Sequence, residues 1–175
     1  MKQLFLLFVA ALVITNATAR ERINFDQGWR FSLGDNMAWS TNEYDDSRWR
    51  LLDLPHDWAI EGAFSADNPS GAGGGALPGG VAWYRKHFYV KDVAKYFLEF
   101  DGVYMNAVVF VNGEVVDYRP YGYSSFEIDI TRYMRCDGNV IAVRVDNSDQ
   151  PNSRWYSGCG IYRHVHRALC TGSCS

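Results

Sequence analysis

The sequence has only one long apolar run and no excess of basic residues. That run, Leu4 to Ile14, is shorter than the roughly 20 residues that a transmembrane helix needs, and no other stretch approaches this length. The 175 residues carry 17 Lys and Arg against 20 Asp and Glu, a formal net charge of -3, without a basic stripe. These absences argue against a membrane-embedded protein and against a nucleic-acid-binding protein.

Motifs for several kinds of catalysis and metal binding are also missing. The chain has no G-x-S-x-G nucleophile elbow and no G-x-x-x-x-G-K phosphate loop. His164 and His166 lie two residues apart without a Cys or acidic partner at a recognisable spacing, which favours two strand-surface residues over metal ligands. Three acidic pairs lie where solvated strand or turn residues are expected: Asp45 and Asp46, Glu99 and Asp101, and Glu127 and Asp129. We therefore expect no catalytic residue, no metal and no cofactor in this chain.

The first 19 residues have the pattern of an export signal. Lys2 supplies positive charge, the apolar run follows, and Ala17-Thr18-Ala19 is an A-x-A cleavage site. The mature chain is therefore expected to begin near Arg20 and to be secreted or periplasmic, as one domain at 20–169 with a short tail at 170–175. An oxidising compartment permits disulfides, and the pairing stays open among the four cysteines, which are Cys136, Cys159, Cys170 and Cys174.

Period-two alternation, cut by turn residues, predicts an antiparallel all-β domain. Tyr96, Leu98 and Phe100 point one way, and Gly102 ends that strand. Asn112-Gly113 predicts a tight hairpin, because both positions tolerate the positive φ of a type I′ turn. Further strands, each burying one face, are predicted at 83–90, 126–131, 141–146 and 161–169. The total of roughly seven or eight strands is typical of a sandwich or jelly roll.

The segment from Ala63 to Gly80 is rich in Gly, Ala, Ser, Pro and Asn and includes Gly71-Ala72-Gly73-Gly74-Gly75. A loop of this length in a compact domain is usually functional or disordered. We interpret it as a mobile surface flap, with a plain flexible insertion as the alternative.

The stretch from Ser153 to Arg163 has the composition of a sugar-contacting surface. Arg154, Trp155 and Tyr156 crowd together beside two glycines. Aromatic faces cover the C–H patches of a pyranose, and a guanidinium offers a fork of donors to hydroxyls or carboxylates. The alternative is a buried aromatic corner that only closes the sheet.

A second candidate segment runs from Leu54 to Trp58. In the functional interpretation, Asp57 accepts hydrogen bonds from sugar hydroxyls, Trp58 stacks on the sugar and His56 orients its neighbours. In the structural alternative, Asp57 caps a turn while His56 and Trp58 fill the sheet edge.

Six motifs, in order, carry a resemblance to a known family. They are Asp45 to Trp49, Leu54 to Trp58, Trp83 to Lys86, Phe100 to Val103, Val111 to Gly113 and Ser153 to Arg163. Their order and spacing closely resemble the N-terminal sugar-binding domain of glycoside hydrolase family 2, above all its secreted β-galactosidase-like members. The resemblance extends over almost the whole mature chain.

The resemblance implies a jelly-roll β-sandwich of the galactose-binding-like type. In the family it is followed by an immunoglobulin-like sandwich and a (β/α)8 barrel, and the barrel holds the two glutamates of a retaining glycosidase. A barrel alone takes about 250 residues, so this chain is expected to bind sugar without cleaving it. By the same resemblance, Asp57, Arg154 and Trp155 contact the non-reducing sugar, and Tyr156 is added to them as a substrate-binding residue.

The partners expected from this resemblance are a carbohydrate, a β-galactoside or related glycoside, and the immunoglobulin-like and barrel domains that this chain lacks. One alternative is a stand-alone, secreted, lectin-like protein. Another is an interaction role, in which an apolar face that evolved under a covering domain makes the chain self-associate.

Overall fold

The computed structural model describes residues 20–90 and 94–170 as ten β-strands with short turns and, within those ranges, no α-helix. The strands are β1 (Arg20–Asn24), β2 (Trp29–Leu33), β3 (Arg50–Leu52), β4 (Gly80–Phe88), β5 (Lys95–Phe100), β6 (Ala107–Val111), β7 (Glu114–Arg119), β8 (Phe126–Asp129), β9 (Asn139–Asn147) and β10 (Val165–Cys170). Three 3-10 turns lie at Met37–Ser40, Ala59–Glu61 and Thr131–Tyr133.

The strands form two antiparallel sheets. The smaller sheet has the order β1-β10-β5-β8, and the larger has the order β3-β2-β4-β9-β6-β7. The longest pairing joins β4 to β9, from Gly80 opposite Asn147 to Phe88 opposite Asn139. This arrangement confirms the predicted all-β, jelly-roll sandwich.

The main core lies between the sheets and follows the predicted alternation. Tyr96, Leu98 and Phe100 on β5 are all buried, and they meet residues such as Tyr84 and Val143 from the larger sheet in the same apolar cluster. Full burial of a large apolar side chain stabilises a fold by roughly 1.5–3 kcal/mol. The one-sided pattern of β5 is therefore sufficient to orient this strand.

The predicted hairpin is confirmed at β6 and β7. Asn112 and Gly113 have φ values of 52° and 87°, as a type I′ turn requires. The Asn112 side chain also anchors the turn, because its Oδ1 accepts from the Val140 N–H at 2.9 Å and its Nδ2 donates to the Tyr133 carbonyl at 2.7 Å.

The larger sheet buries residues on both faces, which corrects the expectation that each strand buries only one. Trp83 and Ala142 are fully buried in a second cluster with Phe110. Trp39 and Trp49 pack against this cluster, from the long connection between β2 and β3. That connection covers the outer face of the sheet, and alternation within one strand cannot reveal such a cover.

A buried charge network accompanies this cover. Arg85 on β4 is fully buried, and its Nε donates to Asp46 Oδ2 at 2.7 Å. The same carboxylate oxygen lies 2.7 Å from His87 Nε2. The connection is thus fixed to the sheet by ion pairing as well as by aromatic packing.

The strand count and some strand bounds also differ from the prediction. The three N-terminal strands were not predicted, and β10 begins at Val165, after Ile161 has already been buried in the core. Cys170 lies in β10 and is disulfide-bonded, whereas Cys136 is exposed and free and Cys159 is buried and free. The predicted signal peptide, Cys174 and the rest of the tail after Cys170 lie outside the described residues.

The loop between the second 3-10 turn and β4 is held by its own hydrogen bonds. Asn68 Nδ2 donates to the carbonyl of Ala63 at 2.9 Å and to that of Ala76 at 2.7 Å. Ser70 is buried and donates to the Leu77 carbonyl at 2.7 Å. The loop therefore has a defined shape, and its interpretation as a mobile flap stays a prediction.

Candidate functional site

The candidate site forms where the chain after β3 meets the chain after β9. The backbone N–H groups of His56 and Trp58 donate to the carbonyls of Ile161 and Cys159, at 2.9 and 3.1 Å. The two segments that sequence analysis singled out therefore run side by side.

Asp57 is the main side-chain link between these segments. Its Oδ1 accepts from the Ala59 N–H at 3.0 Å, which caps the 3-10 turn, and from the Cys159 N–H at 3.1 Å. Its Oδ2 accepts from the Tyr156 hydroxyl. The half-buried carboxylate thus caps a turn, as the structural alternative expected, and also positions Tyr156.

Tyr156 and Trp155 are both accessible to solvent. Tyr156 is 39% exposed and Trp155 is 64% exposed. Burial of part of its ring, together with the hydrogen bond to Asp57, raises the pKa of Tyr156 well above its usual value. The phenol therefore keeps its proton at neutral pH and acts as a donor to Asp57.

A chain of hydroxyl groups supports Trp155. The indole Nε1 donates to the Tyr123 hydroxyl at 3.4 Å, and that hydroxyl donates to Ser157 Oγ at 2.9 Å. Ser153 Oγ lies 3.0 Å from Ser157 Oγ and donates to the Trp155 carbonyl. The exposed indole is therefore fixed at its edge, which leaves its faces for contact.

Arg154 is exposed and lies against the glycine-rich loop. A Cβ placed on Gly73 would lie 3.7 Å from Arg154 Cα, so the two backbones approach closely there. No hydrogen bond or ion pair of the Arg154 side chain occurs within 20–90 and 94–170. The guanidinium is free to meet a ligand or another surface.

Trp58 and His56 do not belong to an exposed sugar surface. Trp58 is 3% exposed and packs in the core, so the expectation that it stacks on a sugar is wrong. His56 is buried, with its Nδ1 2.8 Å from the Tyr84 hydroxyl and its ring packed edge-on against Phe31. Both residues fill the sandwich edge, as the structural alternative predicted.

Two exposed tyrosines, Tyr121 and Tyr123, extend the aromatic surface beside the buried Tyr104, and sequence analysis missed all three. Tyr123 lies with its ring centroid 5.2 Å from that of Tyr104 and 5.6 Å from that of Tyr121. Tyr121 and Tyr123 are exposed, and they flank a glycine just after β7. The alternation of tyrosine and glycine outside a predicted strand was the available signal.

The cavity behind this surface is too small for a sugar. It has a volume of about 20 Å³ and lies among residues that include Asn147, Asn152 and Cys159. A cavity of this size and polarity suits about one water molecule. Any contact of Trp155 or Tyr156 with a sugar is therefore made by their exposed surfaces and not inside this cavity.

The acidic pairs are engaged in ion pairs or turns. Glu99 Oε2 accepts from Arg22 Nε at 2.6 Å, and Arg20 bridges Glu99 and Glu127. Burial alone would raise the pKa of Glu99, but the hydrogen bond from Arg22 lowers it overall. Its carboxyl is therefore ionised at neutral pH and is unsuited to a general acid.

In the part of the chain that the structure describes, no group of three or more His, Cys, Asp or Glu side chains could hold a metal ion. His164 instead contacts Asp26 Oδ2 at 2.8 Å through its Nδ1. Among these same residues, none forms a helix of the length and apolarity that crossing a bilayer takes.

Comparison with known proteins decides the family. Residues 76–169 match the profile of "Glycosyl hydrolases family 2, sugar binding domain". The chain belongs to glycoside hydrolase family 2. The resemblance carried by the six motifs is therefore confirmed.

Relatives of this family 2 chain are much longer proteins. It is 63% identical over 150 residues to Beta-galactosidase BoGH2A of Bacteroides ovatus, which covers 83% of this chain and 18% of that protein. It is 28% identical over 177 residues to a beta-glucuronidase of Bacteroides fragilis, covering 96% of this chain and 23% of that protein. The chain thus spans about a fifth of the length of these relatives.

A solved structure shares the fold. A beta-glycosidase from Bacteroides vulgatus superposes with a TM-score of 0.83 at 44% identity, over 85% of this chain and 20% of that one. The family 2 sugar-binding domain is therefore established in both sequence and architecture. An interaction with carbohydrate follows from this assignment, and the roles of individual residues stay predictions.

Proposed function

We propose that this chain is the first domain of an exported family 2 β-glycosidase of the β-galactosidase type. In this proposal the domain completes the pocket for the non-reducing sugar and leaves bond cleavage to the remainder of the enzyme. The single observation that carries the proposal is the Asp57 carboxylate, which fastens Tyr156 while the neighbouring Trp155 stays 64% exposed.

In this proposal each predicted residue has a separate task. The exposed face of Trp155 covers the C–H patch of a pyranose, and the free guanidinium of Arg154 donates to sugar hydroxyls. Tyr156 supplies a second ring, held in place by Asp57. Because the Asp57 oxygens already accept three hydrogen bonds, Asp57 acts mainly as a positioning residue.

A role without catalysis is supported by the state of the carboxylates. Retaining glycosidases need a carboxylic acid and a carboxylate roughly 5 Å apart across the scissile bond. Here Glu99 and Asp46 are each held by arginine, and ion pairing of this kind favours the charged form. A relative such as the Bacteroides ovatus beta-galactosidase extends far beyond the region matched here, which is 18% of its length.

Calorimetric titration with galactose tests the binding role. A half-site with few buried contacts is expected to bind in roughly the millimolar range. Trp155→Ala should weaken binding about fivefold, since an aromatic contact contributes about 1 kcal/mol. Tyr118→Ala is the matched control, because Tyr118 is also an exposed ring, on the edge strand β7.

Two further measurements test the remainder of the proposal. Purified chain should not release nitrophenol from nitrophenyl galactoside or glucuronide, and turnover abolished by changing one of its own carboxylates would overturn the non-catalytic role. Mass spectrometry of chain exported by a bacterial host should show an N-terminus near Arg20. An uncleaved N-terminus in chain retained in the cytoplasm would count against export.

A further inference from the structure

A second concave surface lies at the end of the smaller sheet. It has a volume of about 510 Å³ and is lined by Pro55, Asp101, Tyr123, Ser125, Tyr162, Arg163 and His164. We name it the Tyr162 groove. Sites for small molecules typically have volumes of about 300–1,000 Å³ and combine aromatic surface with a few polar groups. The groove has both features and is large enough for a monosaccharide.

The Tyr162 ring is a rigid platform in this groove. A Cβ added to Gly102 would lie 2.7 Å from Tyr162 Cζ, so the ring packs directly on the backbone at Gly102. The Tyr162 hydroxyl donates to the Gly122 carbonyl at 2.8 Å. The ring is half-buried, so part of it stays open to a ligand.

Asp101 and His164 are fixed relative to one another beside this platform. The Asp101 N–H donates to the His164 carbonyl at 2.9 Å. The His164 ring contacts the Asp26 carboxylate. Burial alone would raise the pKa of that carboxyl, but hydrogen bonds from the Val165 N–H and from His164 lower it overall. Because the Asp26 carboxylate only accepts, His164 Nδ1 carries a proton, and Nε2 is left for another partner.

Arg163 is the one cation of the groove that has no acidic partner within the described ranges. It is exposed, and its guanidinium carbon lies 5.7 Å from the Tyr162 ring centroid. Asp101, the carboxylate of the groove, lies 3.4 Å from Arg22 Nη2 instead. A guanidinium without a carboxylate partner, placed over an aromatic platform, is suited to bidentate recognition of a ligand carboxylate.

We propose that the Tyr162 groove binds a uronic acid, a pyranose that carries a carboxylate. Tyr162 covers the C–H face of the ring, Arg163 holds the carboxylate, and Asp101 and Ser125 meet the hydroxyls. This site differs from the surface of Trp155 and Tyr156 in the charge of the sugar that it selects. The inference stands whether or not that surface binds galactose.

Paired titrations with glucuronate and glucose test the proposal, because the two sugars differ only in the carboxylate that replaces a hydroxymethyl group. Glucuronate should bind about tenfold more tightly at low salt, and raised ionic strength should reduce this preference. Arg163→Ala should abolish the preference, and Arg163→Lys should retain part of it, since lysine keeps the charge but not the fork. Arg48→Ala, at an exposed arginine outside the groove, is the matched control.

The outcomes separate this inference from the proposed function. Equal affinity for the two sugars, or a preference that survives in a folded Arg163→Ala variant, overturns the inference. Trp155→Ala should weaken galactose binding and leave the Arg163-dependent preference intact, so either proposal can fail alone. Titration with methyl glucuronide, whose anomeric position is blocked, tests whether the groove binds a uronic acid at the terminus of a glycan or only the free acid. Retained binding supports the terminus, and lost binding restricts the site to the free acid.

Discussion

Removal of the Asp57 carboxylate tests whether one side chain joins the two segments of the candidate site. In Asp57→Ala, the N–H groups of Ala59 and Cys159 and the hydroxyl of Tyr156 all lose their acceptor. Ala59 and Cys159 are themselves buried, so water replaces these hydrogen bonds poorly. The segment that carries Trp155 should loosen in consequence.

The magnitude follows from the two backbone donors. A buried donor left unsatisfied costs about 1–3 kcal/mol. Because Asp57 is only half-buried, the cost for each of the two N–H groups should lie toward the lower end of this range. The free energy of unfolding should therefore fall by roughly 2–4 kcal/mol in Asp57→Ala. For a domain of this size, each kcal/mol lowers Tm by about 2–4 °C, so the expected loss is about 10 °C.

Urea denaturation and thermal melting provide the assay, with Asp57→Asn as the matched variant. The amide keeps an oxygen for both N–H groups, and the Tyr156 hydroxyl then accepts from the new NH2 group. Asp57→Asn should accordingly lose less than half of what Asp57→Ala loses. An unchanged Tm in Asp57→Ala, or equal losses in the two variants, would refute this account of the site.

Three further predictions concern pH, backbone geometry and thiol chemistry. Burial, partly offset by Glu61, lowers the pKa of His56 from 6.5, so the unfolded chain binds that proton more readily than the folded chain. The free energy of unfolding should therefore fall as pH drops through about 6.5. In urea titrations His56→Asn should flatten this pH dependence, and an unaltered slope would contradict the prediction. Gly160→Ala should lower the free energy of unfolding by at least about 2 kcal/mol more than Gly28→Ala does. Both glycines have positive φ, but of the two only Gly160 lacks room for a Cβ. Equal losses of stability in denaturation would count against this prediction. Burial raises the pKa of the Cys159 thiol to about 12, whereas Cys136 is exposed. A disulfide reagent should therefore react quickly with Cys136 and slowly with Cys159. A fast phase that persists in Cys136→Ser would contradict this prediction.

Local features of the fold were predictable from sequence because their causes lie within a few residues. The buried face of β5 follows from alternation at Tyr96, Leu98 and Phe100, and the hairpin follows from Asn112-Gly113. The family followed from the order and spacing of six motifs, and the match at residues 76–169 confirms it.

The site was predictable only in part. Arg154, Trp155 and Tyr156 were singled out by composition, and the structure leaves all three accessible. Asp57 was singled out as a direct sugar contact, whereas its oxygens are engaged by the backbone and Tyr156. Which polar atoms are already satisfied depends on segments far apart in the chain, and local sequence does not contain that information.

By itself, the sequence determined the all-β class, the hairpin turn and the family, because side-chain alternation, turn conformation and motif order are properties of the chain. Only the tertiary structure decided which residues are exposed. Trp58 and Trp155 have the same side chain, yet one is 3% and the other 64% exposed. The difference arises because the sandwich closes over Trp58, while Trp155 is fixed at its edge by Tyr123 from another part of the chain.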